Sequence, residues 1–151
     1  MEIELDDPAR PDVTALLAEH LADMHATSPP ESVHALDVGG LTGPGMSFWT
    51  ARSHGVLLGC AALKELDPAH GEVKSMRTTT ESRGIGVGSA LLLHLIAEGR
   101  ARGYTRLSLE TGTEDYFEPA HVLYLRHGFE VTGPFAGYTH DPNSAYFTME
   151  L

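Results

Sequence analysis

The sequence predicts a mixed α/β fold made as one domain over residues 1–151, and three patterns carry that prediction. Apolar residues recur at helical spacing in two stretches, residues 13–24 and 87–96. Around them lie runs rich in β-branched, aromatic and small apolar residues, bounded by glycine, proline and aspartate, which is the pattern of strands and turns. The second helical stretch has a strand on either side, and strand, helix, strand makes a parallel crossover. A chain of 151 residues buries roughly two-thirds of its surface on folding, so one core suffices.

Taken in order, Ile3 and Leu5 alternate with acids and form a short first strand ending at Asp6-Asp7-Pro8. Val13, Leu16, Leu17, Leu21 and Met24 fall on one helical stripe, with Asp12 as the expected cap and a stop before Ser28-Pro29-Pro30. A second, shorter helical piece is expected from Glu31 to Leu36, after which Gly39, Gly40, Gly43, Pro44 and Gly45 mark a loop. Residues 47–51 and 56–63 read as a hairpin about Ser53-His54-Gly55. A turn near residues 67–71 leads into a strand over residues 72–78. Val87, Leu91, Leu92, Leu95 and Ile96 then share one face of a helix that Gly103 stops. Residues 106–110 are a strand, Pro119 opens a last helix that Gly128 ends, and residues 129–131 and 145–149 are closing strands.

Composition removes several function classes. A formal net charge of −11 leaves no basic footprint for nucleic acid or an anionic membrane surface. No apolar run approaches the roughly 20 residues of a bilayer span, and the acidic start is unlike a secretory leader, so a cytoplasmic protein is expected. The single cysteine, Cys60, lies in an apolar run and reads as packing. The nine histidines lack the i, i+4 pairing of a zinc helix and no cysteine pair accompanies them, so no metal is expected.

The richest segment is the loop with Gly84, Gly86 and Gly88 at alternate positions directly before a helix. Glycines let backbone amides approach a bound group, and a helix start offers free N–H donors at the positive end of its dipole, so an anion site is expected. A phosphate-binding P-loop would need Gly-Lys-Ser or Gly-Lys-Thr, whereas Gly88 is followed by Ser89-Ala90. A dinucleotide fingerprint would put a third glycine at Ser89; Glu110 stands where its ribose-binding acid would be, but too few strand–helix alternations remain for its sheet.

Arg83-x-x-Gly86-x-Gly88, between a strand and an apolar helix, resembles the acetyl-CoA loop of the GNAT superfamily of N-acetyltransferases. Downstream, Ala120-His121-Val122-Leu123-Tyr124-Leu125-Arg126-His127-Gly128-Phe129 resembles a second segment of that family. The resemblance implies a mostly antiparallel central sheet flanked by helices and splayed where the central and following strands part. It also implies acetyl-CoA as cosubstrate, held by Arg83, Gly84, Ile85, Gly86, Val87, Gly88 and Ser89. The strand edge at Met76, Arg77 and Thr78 would pair with the pantetheine arm and donate an N–H to the thioester carbonyl. Two places depart from the family's habits: Thr80 replaces a frequent proline, and Glu110-Thr111-Gly112 precedes the last helix where many members carry asparagine. Small amines, amino acids, antibiotics and protein amino groups are all acceptors of this architecture, and a small-molecule amine is the expectation.

A lysine-like amine has a pKa about 3.4 units above neutrality, a handicap of about 4–5 kcal/mol that a general base partly offsets. Glu72 and Glu110 are the candidates, one on each strand expected to flank the cofactor, although a surface acid usually serves only solubility. Tyr124 is the candidate acid for the leaving thiolate; a helical tyrosine ordinarily packs in a core. His34, His127 and His140 are candidates for the acceptor side, as are residues 38–45 and 138–143. The rival readings are a non-catalytic acyl-CoA-binding sensor and a nucleotide-dependent oxidoreductase, and the closing strands are a candidate homodimer surface.

Overall fold

The computed structural model describes residues 1–34 and 36–151. Its elements are β1 (Glu2–Leu5), α1 (Pro11–Thr27), a 3-10 turn (Pro30–Ser32), α2 (Val38–Leu41), β2 (Met46–Ser53), β3 (Val56–Asp67) and β4 (His70–Thr78). A second 3-10 turn (Thr80–Ser82), α3 (Val87–Ala101), β5 (Arg106–Gly112), a third 3-10 turn (Asp115–Phe117), α4 (Glu118–Arg126), β6 (Glu130–Thr132) and β7 (Ser144–Glu150) complete the chain. Seven strands form one sheet in the order β1-β2-β3-β4-β5-β7-β6. Every neighbouring pair is antiparallel except β4 with β5, the pair joined through α3.

The alternation within the strands sends side chains to two cores, one on each face of the sheet. On one face α3 packs Val87, Leu91, Leu92, Leu95 and Ile96 against Ala61, Leu63, Val73, Leu107 and Leu109, with Tyr124, Phe129 and Phe147 closing the layer. On the other, α1 lays Val13, Leu16 and Leu17 over Phe48, Cys60 and Ala62. Burying each such side chain contributes about 1.5–3 kcal/mol. Cys60 is fully buried packing, and burial pushes its thiol up to about 12.

Three local expectations are corrected. Asp12 does not cap α1: Pro11 takes the first helical position, so Asp12 sits inside the first turn and binds Arg52 instead, at 2.7 and 3.2 Å. The helix expected from Glu31 does not form among the described residues: the turn opened at Pro30 ends at once, with Val33 already extended (φ −89°, ψ 114°), and Ala35 lies outside the described residues. The glycine-rich stretch is partly helical, since the Asp37 carboxylate accepts the Gly40 N–H at 2.9 Å and caps α2.

Candidate active site

Strands β4 and β5 pair only from His70 to Glu72 against Arg106 to Ser108, although both run on, to Thr78 and Gly112. Beyond that point they part, and a cleft of about 790 Å³ opens between them and the ends of α1, α3 and α4. The backbone groups on this side of β4 past Glu72 have no strand partner there, which leaves them free for an extended ligand.

The glycine loop forms one wall. Gly84 (φ 78°) and Gly86 (φ 90°) occupy the left-handed region with open space where a Cβ would point, so glycine is required there by backbone conformation and not by crowding. Gly86 caps α3, and the amides of the loop and first turn meet the cleft. Gly88 serves differently: a Cβ there would stand 3.3 Å from a Leu123 methyl, so its absence lets α3 approach α4. Arg83, Val87 and Ser89 line the cleft with these glycines, as do Met76, Arg77 and Thr78 from β4. Ile85 does not; it is 68% exposed.

In the middle of β4 the register against β3 slips by one, so Ala61 faces both Ser75 and Met76. Ser75 holds φ 50°, a costly angle for a side-chain-bearing residue, and its buried hydroxyl has no partner among the described residues.

Glu72, Glu110 and Tyr124 all line the same cleft, but they are held differently. Glu72 is 3% exposed and engaged: its Oε2 accepts from the Tyr138 hydroxyl at 2.6 Å and from Lys74 Nζ at 3.2 Å, and Lys74 also donates to the Tyr138 oxygen at 3.0 Å. Among the described residues Glu110 accepts only from the Ser144 hydroxyl, at 2.8 Å. Burial pushes its carboxyl up to about 7, with Glu72 and Asp141 adding to the rise and Ser144 and Lys74 opposing it. Burial, and then the charge of Glu110, push the Tyr124 phenol up to about 12. Its ring packs between Phe129 and Phe147, each at 5.9 Å.

Sequence reasoning missed the side-chain lattice on the α1 face. Arg77 is buried, and its guanidinium binds Glu19 and Asp23 (2.7 Å) on α1 and the Tyr116 hydroxyl (3.2 Å). Burial works against its charge, but Asp23, Glu19 and Tyr116 more than offset that and hold its pKa above the ordinary value. Burial and then Arg77 push His20 down to about 4, which keeps the ring neutral at physiological pH. A smaller cavity of about 280 Å³ continues from the cleft past His34, Glu72 and Lys74 to Tyr138, Thr139 and Asp141. Of residues 138–143, Tyr138, Thr139 and Asp141 line this smaller cavity. Residues 38–45 line neither cavity, because Leu41 is drawn into the α1-side core. His34 lines both cavities; His127 is turned to the Leu123 carbonyl at 2.8 Å, and the exposed His140 lines neither.

Residues 13–129 match the model of the acetyltransferase (GNAT) family. The chain belongs to the GNAT family. It is 50% identical over 151 residues, the full length of both chains, to the uncharacterized N-acetyltransferase YsnE of Bacillus subtilis (strain 168). Among solved structures, a protein described as an acyl-CoA N-acyltransferase from Klebsiella pneumoniae superposes with a TM-score of 0.84 at 29% identity, covering 99% of this chain and 97% of that one. A GNAT family acetyltransferase from Elizabethkingia anophelis, solved with acetyl-CoA bound, gives a TM-score of 0.73 at 18% identity, over 99% and 97% of the two chains. This GNAT chain is therefore an N-acetyltransferase by family, with the mostly antiparallel, forked sheet of that fold. Among the described residues no helix is long and apolar enough to cross a membrane, and no three His, Cys, Asp or Glu side chains gather where they could hold a metal ion.

Proposed function

We propose that this protein transfers the acetyl group of acetyl-CoA directly to a primary amine of a small molecule in the cytoplasm, without a metal. The observation that carries the reading is Glu110: a carboxyl raised to about 7, lightly hydrogen-bonded, in the fork between β4 and β5. Such a group is about half ionised at neutral pH, the condition under which a base both accepts and releases a proton well.

The amides from Arg83 to Ser89 and the start of α3 hold the pyrophosphate, and the free side of β4 at Met76, Arg77 and Thr78 pairs with the pantetheine arm. An N–H of that strand edge, beside the Ser75 bulge, polarises the thioester carbonyl. Glu110 takes the proton of the attacking ammonium. Glu72 is less suited, because Lys74 and Tyr138 already occupy its oxygen. Tyr124 gives a hydrogen bond, then a proton, to the leaving thiolate. A phenol near 12 is a weak acid toward a thiol of about 8.5, but part of its rise comes from Glu110's charge. Protonating Glu110 removes that charge, so the first proton transfer makes the second easier.

Calorimetric titration with acetyl-CoA, with NAD as control, tests the cofactor, and a thiol-release screen across amines tests the reaction. Saturable binding with thiol release on at least one amine is expected. Binding without release on any amine would favour an acyl-CoA sensor, a reading to which a poised Glu110 adds nothing. Tyr124→Phe is expected to bind acetyl-CoA normally and to lose at least about tenfold in kcat.

A further inference from the structure

The chain contains only two lysines, Lys64 and Lys74, and both line the smaller cavity. Only Lys74 also lines the main cleft. Its Cα faces Ala62 of the α1-side core, as that of Arg77 faces Cys60, so Lys74 and Arg77 emerge on the same, α1-side face of β4; we take the smaller cavity that Lys74 lines as the acceptor chamber. Lys74 precedes Met76 by two residues, at most about 7 Å along the backbone even without the bulge at Ser75, which is within the reach of its four-carbon side chain. A proton acceptor is in place, Glu72 Oε2 at 3.2 Å from the ε-nitrogen.

We propose that Lys74 is a self-acetylation site, modified when acetyl-CoA is bound and the acceptor chamber holds no amine. The inference rests on the acetyl-CoA reaction proposed above. The ε-ammonium gives one proton to the Glu72 carboxylate, and the neutral nitrogen forms a bond to the thioester carbonyl carbon. The C–S bond breaks, its electron pair leaves on sulfur, and the second nitrogen proton ends on the thiolate. Lysine ammonium and acetyl-CoA thus give acetyl-lysine, CoA thiol and one proton, with no further reactant.

Acetylation here would not be silent. It removes the cation that binds Glu72 and Tyr138 and that draws the Glu110 carboxyl downward. The modified enzyme therefore transfers acetyl more slowly, a brake set by scarcity of acceptor.

The test incubates the full chain with acetyl-CoA alone, follows intact mass, maps the acetyl group by peptide analysis, and measures acetyl-CoA binding on the same preparation. One acetyl group at Lys74, with exposed Lys64 left unmodified, is the expected result, as is loss of transfer rate after the incubation. Glu72→Gln is expected to slow the modification about a hundredfold, and Lys74→Arg to gain no acetyl group in the chamber. Equal labelling of both lysines would mark uncatalysed chemistry and overturn the proposal, as would acetyl-CoA binding with Lys74 unmodified. Absence of acetyl-CoA binding would remove the underlying reading and this inference together.

Discussion

The two ends of the cleft are made of different materials. The glycine-loop end is backbone: consecutive residues from Arg83 to Ser89, with angles at Gly84 and Gly86 that only glycine adopts freely. The opposite end is side chains brought from far apart: Ser32 meets Asp141 across 109 positions, Tyr138 meets Glu72 across 66, and Arg77 meets Glu19 across 58. A backbone site presents the same donors whatever surrounds it, so it suits a part common to every reaction of a family. A side-chain lattice can be altered at one position without disturbing the loop, so it suits the part that varies. Changes at one end should therefore affect one binding step, and changes where the ends meet should affect chemistry.

The largest effect is expected where they meet. Glu110→Gln keeps an oxygen to accept from Ser144 but cannot take a proton, and kcat is expected to fall about a thousandfold. In the unaltered enzyme kcat/KM should rise with pH through a midpoint at about 7, since the carboxyl must be ionised to act; the variant should lose that limb. Stability runs the other way. A carboxyl raised in the fold stabilises it only while protonated, a contribution complete below the ordinary carboxylate range and lost as pH rises through about 7. Glu110→Gln should thus be the more stable protein at pH about 8, by about 2–3 kcal/mol, in denaturant titrations. Equal activity in the two proteins would exclude Glu110 as the base.

Gly86→Ala probes the backbone end alone. Nothing lies within 4 Å of the added Cβ, so the cost is the φ of 90°, roughly 1–3 kcal/mol. Acetyl-CoA affinity is expected to drop about thirtyfold by calorimetry, with the KM for the acceptor unchanged. A matching rise in that KM would break the separation between the ends.

The same difference in materials decides what the sequence disclosed. Glycines at positions 84, 86 and 88 before an apolar stripe announce a loop and helix locally, because each constraint lies within a few residues of the next. Most strands are equally legible, since alternation and turn residues are local; the start of α1 is not, because Pro11 competes with Asp12 for it. The bulge at Ser75 left no trace, for serine does not advertise a positive φ. Glu72 and Glu110 stand on strands that local pattern reveals, but no local pattern ranks them: the partners that separate them, Lys74, Tyr138 and Ser144, include two from beyond residue 137. Position 77 is legible as part of a strand edge, while the Arg77 guanidinium spans the gap to α1 and Tyr116, contacts no local pattern encodes.

The smallest expected effect probes the side-chain end. Tyr138→Phe keeps the ring against His34, Phe135 and Tyr146 but removes the hydroxyl that donates to Glu72 at 2.6 Å and accepts from Lys74 at 3.0 Å. Burial and the neighbouring Glu72 charge hold that phenol well above its ordinary pKa, so it is the neutral hydroxyl that is lost. A hydrogen bond to a charged group is worth about 1.5–3 kcal/mol, of which the remaining Lys74–Glu72 pair recovers part. The KM for the acceptor is therefore expected to rise about tenfold at most, with acetyl-CoA affinity unchanged. Because the 134–143 segment carries Tyr138 as well as Asp141, which binds Ser32, loss of the hydroxyl should loosen the chamber without opening the fork. A Tyr138→Phe protein that loses acetyl-CoA binding instead would show that this segment also sets the spacing of β4 and β5, and that the two ends of the cleft are one mechanical unit.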